Sequence, residues 1–298
     1  MKVIKAFEKF IHSRKLKGVS ENTITSYRNL TSHFLKFIGL DTEMENICQE
    51  DLENFVDYLY SIAISRNSIA SYIRNTKIFL KWYQKKNVVN YSAAELVIPK
   101  APKKLVYIYN PTEIDMIFNS IDTCCEWLTV RNKAIIALML DSGLRQAEVC
   151  NLKICNIFFD VCRLKVCGKG NKERIVPLGN MAQRFIQEYL TLRPYENEIL
   201  FVGYHGEPIT CGAVKSMTWD LQQKLPFAFS SHKLRHNFAT NYLINQYEIF
   251  GQMDIYQLMS IMGHEDVATL RRYLHHANGV IASRNCISHL DRIYKDRL

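Results

Sequence analysis

Residues 162–178 read CRLKVCGKGNKERIVPL. Two short runs that suit extended backbone flank the turn Gly168-Lys169-Gly170-Asn171, so the stretch predicts a β-hairpin. It is the clear β interruption in a chain whose apolar residues otherwise recur at helical spacing. Downstream, helical patterns resume near Met181, Gly212, His232, Asp254 and Asp266. Upstream, Phe7, Phe10 and Ile11 mark one helix, and Ile24, Tyr27, Leu30, Phe34, Leu35 and Ile38 a second, with Ser20 as N-cap and Gly39 as stop. Leu52, Phe55, Val56 and Leu59 mark a third, and Ile69, Tyr72, Ile73, Phe79, Leu80 and Tyr83 a fourth. The fold class is therefore mainly α with a small β-sheet: a four-helix bundle followed by a larger α+β domain. Between them the periodicity fails, and Pro99, Pro102 and Pro111 cluster with Lys100, Lys103 and Lys104. The domains are placed at 1–91 and 111–298, with 92–110 as a basic linker.

A chain of 298 residues suffices for two hydrophobic interiors, and 48% hydrophobic with 22% charged residues is an ordinary globular mixture. The longest aliphatic run, Ala134 to Leu140, is too short for a bilayer, and the start MKVIKAFEKF is no signal peptide, so a cytoplasmic protein with no membrane partner is expected. Nine scattered cysteines, including the vicinal Cys124 and Cys125, suit a reducing compartment. Cys150, Cys155, Cys162 and Cys167 lack the paired spacing of a zinc ribbon.

The net charge of +9 suggests a polyanionic partner. Residues 1–104 hold 17 basic and 10 acidic side chains, against 21 and 19 in residues 105–298, so the excess lies in the first third. The second and fourth helices carry Arg28, Lys36, Arg74, Lys77, Lys81, Lys85 and Lys86 on their polar faces. Arg28, Arg74, Lys77 and Lys81, with Lys103 and Lys104 of the linker, are the candidate contacts to a duplex backbone, although such charges equally suit a solvated helix face.

Phosphoryl transfer without a metal needs a nucleophile, cations for the non-bridging oxygens, an acid for the leaving oxygen, and help in deprotonating the nucleophile. The second domain supplies candidates for each. Arg145 begins a helix in SGLRQAEV, where Gly143 permits a tight approach; His232 and Arg235 lie one turn apart in HKLRH. A planar guanidinium donates two parallel hydrogen bonds to a phosphate and stays charged, which a lysine does less well. Singly, each candidate has an ordinary explanation: an arginine at a helix start is usually a surface charge, and Lys169 in a Gly-rich turn is usually solvated. His232 and His236, four residues apart, could also be read as zinc ligands, but the glutamate of the H-E-x-x-H pattern is missing.

Taken together, SGLRQAEV (142–149), GKGNKERIVPL (168–178), HKLRHNFAT (232–240) and MGHEDVATLRRYLHH (262–276) resemble, in order and spacing, the successive boxes of the tyrosine recombinases, or phage integrases. The N-terminal helices resemble that family's SAM-like core-binding domain, with less specific motifs. Position by position, the resemblance implies Arg145, Lys169, His232, Arg235 and His264 as the active-site set and Tyr273 as nucleophile. Among 16 tyrosines, Tyr242, Tyr247 and Tyr256 are rivals, but Tyr273 has the family's spacing, nine residues after His264. Tyrosine, with an ordinary pKa of about 10, needs cations or a base to act near neutrality, a task open to Arg145, Arg235 and His232. Glu148, one turn after Arg145, is a candidate support for Arg145 or Lys169.

The implied reaction is attack on a DNA phosphate, giving a 3′-phosphotyrosyl link and a free 5′ hydroxyl, with Lys169 rather than Lys172 as acid. The phosphotyrosine preserves the bond energy, so no cofactor is expected. The implied partners are double-stranded DNA core sites, three further protomers of this chain or a paralogue in a tetramer, and accessory directionality proteins. Integration or excision of a mobile element is the preferred role. Alternatives are Xer-like resolution of chromosome or plasmid dimers, supercoil relaxation like that of a type IB topoisomerase, and non-catalytic DNA binding. No arm-binding domain is expected in a chain of this length. One departure stands out: NQYEIFGQMDIYQLMSIM (245–262) is longer than the family's usual turn. A last helix carries Cys286, Ile287, Leu290 and Ile293 on one face, for docking on a neighbour or on its own domain.

Overall fold

Three short strands follow one another in the middle of the chain: β1 (Ile157–Phe158), β2 (Arg163–Cys167) and β3 (Glu173–Pro177). They form one antiparallel sheet in sequence order, with β2 and β3 in register from Arg163 opposite Pro177 to Cys167 opposite Glu173. The hairpin expected over 162–178 is thus present. β1 adds a strand that the sequence did not announce, because two residues are too few to show an alternation. These coordinates are a computed structural model, which describes residues 1–298 except 63, 101–106, 169–171, 264–265, 285–289, 291–292 and 294–298.

The chain divides into two units, Met1–Lys104 and Leu105–Leu298. The first holds α1 (Val3–Leu16), α2 (Glu21–Ile38), α3 (Gln49–Ser61) and α4 (Arg66–Gln84). Their apolar stripes meet in one core, where Phe7, Phe10, Phe34, Phe55 and Phe79 are buried and Phe7 packs edge-on to Phe79 with ring centroids 5.3 Å apart. Each such ring contributes about 1.5–3 kcal/mol by leaving water, which makes this aromatic layer the main driving force of the bundle. Ser65 caps α4 through a 3.2 Å bond from Ser68 N. Ser20 occupies the N-cap of α2 as expected, but its hydroxyl pairs with Thr23 Oγ1 at 2.9 Å instead of a backbone amide. Of the stretch read as a linker, Ala93 and Leu96 pack into the first core and Tyr109 into the second. Lys103 and Lys104 lie outside the described residues.

The second unit contains α5 (Pro111–Asn119), α6 (Glu126–Asp141), α7 (Gln146–Cys150), α8 (Asn180–Leu192), α9 (Cys211–Lys224), α10 (Ser231–Phe250), α11 (Ile255–Met262) and α12 (Arg271–Arg284). Asn110 and Glu113 cap α5 reciprocally, each side chain accepting at 2.9 Å from the other's backbone N–H, with Pro111 at the first helical position. α6 is buried along Ala134 to Met139 with no polar face at those positions, so it runs through the core against α8 and α10. Asn237 Oδ1 accepts from Tyr109 N at 2.7 Å and fixes the start of the unit to α10. The long segment 245–262 resolves into the end of α10, a left-handed cap at Gly251 (φ +71°), and α11, which Asp254 caps through Tyr256 N and Gln257 N. Leu290 and Ile293 of the tail are exposed, whereas Cys286 and Ile287 lie outside the described residues. Among the described residues no helix is long and apolar enough to cross a membrane.

The turn from α6 into α7 tolerates only glycine at position 143. Its φ is +62°, and a Cβ there would overlap the Phe238 ring of α10. The substitution Gly143→Ala is expected to destabilise the second unit by about 2 kcal/mol or more, combining left-handed strain with overpacking. Urea unfolding followed by tryptophan fluorescence measures this, and a midpoint equal to that of the parent would refute the account.

Candidate active site

Glu148 lies one turn into α7 and is almost wholly buried, at 4% exposure. Its carboxylate is surrounded by arginines from three elements. Arg145, at the N-cap position of α7, donates from Nη1 to Oε1 at 2.9 Å and from its backbone N to Oε2 at 2.8 Å. Arg174, on β3, meets both oxygens in a two-pronged contact of 2.7 and 2.8 Å. Arg235, on α10, places Nη1 4.0 Å from Oε2. Burial by itself would push the Glu148 carboxyl up, but the Arg174 hydrogen bonds, the Arg145 amide and the two positive charges outweigh it and hold the group below the usual carboxylate range.

A second anionic partner completes this arrangement, namely the C-terminal end of α11. Arg174 Nε donates to Ile261 O at 2.6 Å, Arg235 Nη2 to Met262 O at 2.7 Å, and Arg145 Nη2 to Gly263 O at 3.3 Å. The last carbonyls of a helix lack intrahelical donors and carry the negative end of its dipole, so three guanidiniums satisfy three successive acceptors. Arg235 also donates to Gly143 O. Burial, followed by the nearby Arg145, lowers the Arg235 guanidinium to about 10, with Glu148 opposing the shift; it remains a cation at neutral pH. Gly263 ends α11 in the left-handed region (φ +60°), and the chain continues directly into His264, which lies outside the described residues, as does Lys169.

The same α10 that carries Arg235 presents His232 and His236, with ring centroids 4.1 Å apart. His232 is exposed at the start of the helix. Partial burial of its ring, then the charges of Arg272 and Arg235, hold its imidazole below the usual histidine range. Tyr273, on α12, is 1% exposed. Among the described residues its hydroxyl bonds to His236 Nδ1 at 2.5 Å and accepts from Arg272 Nη2 at 2.8 Å, rather than meeting Arg145, His232 or Arg235. That differs from the help expected of those three residues. The rival tyrosines sit elsewhere: Tyr242 Oη pairs with Gln257 Oε1 at 3.1 Å, and Tyr247 and Tyr256 are exposed.

Sequence reasoning missed Arg174, His236 and Arg272. Strand alternation could have found the first, since Arg174 shares a sheet face with the buried Val176 and so must bring a charge inward. His236 was visible as the i+4 partner of His232 but was weighed as a metal ligand. Among the described residues no group of three or more His, Cys, Asp or Glu side chains is placed to hold a metal ion. Arg272 had no signal beyond being next to Tyr273. In the first unit, two expected duplex contacts are engaged internally. Arg28 pairs with both oxygens of Glu8 at 2.7 and 2.9 Å, and Lys77 Nζ donates to Ala94 O and Leu96 O at 2.8 and 2.7 Å. Arg74 and Lys81 are exposed.

A family model described as the phage integrase family matches residues 109–279, and one described as the phage integrase SAM-like domain matches residues 2–95. The tyrosine recombinase XerC of Staphylococcus epidermidis is 30% identical over 280 residues, covering 91% of this chain and 92% of that protein. Two solved structures share the fold. The XerH site-specific recombinase in a post-cleavage complex with palindromic difH substrate superposes with a TM-score of 0.70 at 21% identity, over 93% of this chain and 82% of that one. The Tn1549 transposon integrase in complex with circular intermediate DNA gives a TM-score of 0.71 at 18% identity, over 92% and 94%.

Glu148→Gln tests the buried charge cluster. Leaving three guanidiniums around a neutral amide is expected to cost about 3–5 kcal/mol at pH 7. The carboxyl is lowered relative to its unfolded value of 4.5, so its contribution is full above that pH and is lost as pH falls through the folded value. The gap between parent and variant urea midpoints should therefore narrow on acidification. Equal midpoints at pH 7 would exclude the cluster as a stabilising element.

Proposed function

Because this chain belongs to the phage integrase family of tyrosine recombinases, enzymes that break and rejoin DNA, we propose that its nucleophile is Tyr273 and its substrate a duplex core site. The observation that carries this reading is the placement of the buried Tyr273 hydroxyl, 2.5 Å from His236, against the helix that also bears His232 and Arg235. A phenol oxygen kept from water between an imidazole and a guanidinium is suited to a charged transition state rather than to packing alone.

In the proposed reaction Tyr273 Oη attacks a backbone phosphate, and Arg145 and Arg235 face its non-bridging oxygens. Glu148 and the α11 carbonyls already hold these guanidiniums, so little reorganisation is needed when charge develops. Lys169 protonates the departing 5′ oxygen and His264 assists at the phosphate, roles that rest on the motif resemblance. The product is a 3′-phosphotyrosyl link, which another strand's 5′ hydroxyl reverses. Tyr273 is withdrawn in this state, and engagement of DNA is the event that frees it. Strand exchange proceeds in a tetramer on DNA, with accessory proteins setting direction.

Integration or excision of a mobile element is the role we favour, supported by the long α10–α11 segment. One observation favours Xer-like dimer resolution instead, namely the match to a XerC along nearly its whole length. Relaxation without synapsis would leave supercoils removed but no two sites joined.

The test is single-turnover cleavage of nicked suicide duplexes selected from a randomised-sequence pool. The parent chain is expected to form a denaturant-resistant adduct. Tyr273→Phe should form none, and Arg145→Ala should slow formation by about 10²–10³-fold. An adduct formed equally well by Tyr273→Phe would overturn the assignment.

A further inference from the structure

Tyr273 Oη has one proton and two polar neighbours, and the chemistry of those neighbours decides where the proton lies. Arg272 Nη2, at 2.8 Å, can only donate, so it occupies a lone pair of the phenol oxygen. The hydroxyl proton therefore points to His236 Nδ1 at 2.5 Å, which fixes that ring as the tautomer with its proton on Nε2. A proton on Nδ1 instead would leave the hydroxyl proton without an acceptor among the described residues, at a position only 1% exposed. We propose that His236 is the base that removes the proton of Tyr273, and that Arg272 holds the negative charge left on the phenol oxygen. The proposal rests on the reading of Tyr273 as nucleophile.

The surroundings of His236 suit this task. Arg272 Nη2 lies 3.3 Å from Nδ1 and 3.4 Å from Nε2, and His232 stacks edge-on at 4.1 Å on the same helix. The guanidinium is thus within reach of both the imidazole that takes the proton and the phenol oxygen that loses it. The Arg272 Cζ also lies 4.7 Å from the Tyr273 ring centroid, so the cation follows the phenol as both move with α12. Because Arg272 precedes Tyr273 on the same helix, it accompanies the oxygen to the phosphate, whereas His236 stays on α10 and acts as the proton leaves.

The step balances. The Oη–H bond breaks and its proton passes to His236 Nδ1; the oxygen's electron pair forms the bond to phosphorus. The bond from phosphorus to the 5′ oxygen breaks, and that oxygen takes its proton from the acid assigned to Lys169. On rejoining, the 5′ hydroxyl attacks phosphorus and returns its proton to the group assigned as acid, the bond from phosphorus to the Tyr273 oxygen breaks, and that oxygen recovers the proton held by His236.

The experiment measures single-turnover adduct formation on the suicide duplex that the parent chain cleaves. The parent is compared with His236→Ala, Arg272→Ala and Tyr273→Phe, and with chains carrying 3,5-difluorotyrosine at position 273. His236→Ala is expected to slow formation by about 10²–10⁴-fold, the usual range for a general base. Added imidazole should restore part of that rate, and so should the more acidic fluorinated phenol, which depends less on a base. Arg272→Ala, a change at an exposed position, should slow formation by about 10²-fold. Should His236→Ala misfold, His236→Asn takes its place, with the same expected loss and the same partial recovery on fluorination of the phenol. Parent-like rates in His236→Ala, with no adduct in Tyr273→Phe, would overturn the proposal while leaving the nucleophile in place. A slow His236→Ala that responds to neither imidazole nor fluorination would reduce His236 to packing and overturn it too. An adduct in Tyr273→Phe would remove the nucleophile and this proposal together.

Discussion

Three guanidiniums within reach of one carboxylate would repel one another strongly if nothing offset their charge, and the second unit is organised around that offset. Glu148 supplies a full negative charge from α7, and the C-terminal carbonyls of α11 supply partial ones. Each arginine comes from a different element: Arg145 precedes α7, Arg174 lies on β3 and Arg235 on α10. The cluster therefore joins four segments that are far apart in sequence. Its cost is desolvation, visible in the lowered Arg235, and its gain is a set of cations that cannot turn away from the site. Gly143 and Gly263 belong to the same design, since each places a carbonyl beside a guanidinium through a left-handed backbone that a side chain would strain.

Much of this was legible in the sequence, for identifiable reasons. The four N-terminal helices were readable because Phe7, Phe34, Phe55 and Phe79 fall on regular apolar stripes, and the hairpin because residues 162–178 break that pattern. The catalytic boxes were readable as spacing. Which polar atoms meet was not, because a hydrogen bond between residues 37 positions apart, such as that between Tyr273 and His236, leaves no periodicity. Likewise, the charges of Arg28 and Lys77 are plain in the sequence, but their internal partners Glu8 and Leu96 O are set by how the helices pack.

The two groups of polar side chains divide the chemistry between them. The arginine cluster is fixed by backbone carbonyls and a buried carboxylate, whereas among the described residues the Tyr273 hydroxyl bonds to two side chains, one of them the exposed Arg272. On the proposed reading, this arrangement lets Tyr273 move with α12 without disturbing the guanidiniums that face the phosphate. α10 is the common base, since it carries Arg235 for one group and His236 for the other.

The burial of Tyr273 also bears on how faithful such an enzyme is. A protein whose nucleophile is sealed against its own helix spends most of its time unable to cut anything. Every 1.4 kcal/mol by which the sealed form is favoured lowers the competent fraction tenfold, and the apparent affinity for DNA falls by the same factor. On the proposed assignment of Tyr273 as nucleophile, an encounter with duplex too weak to meet that demand ends without a break. The latch on Tyr273 thus works as a threshold that separates merely touching a genome from cutting it.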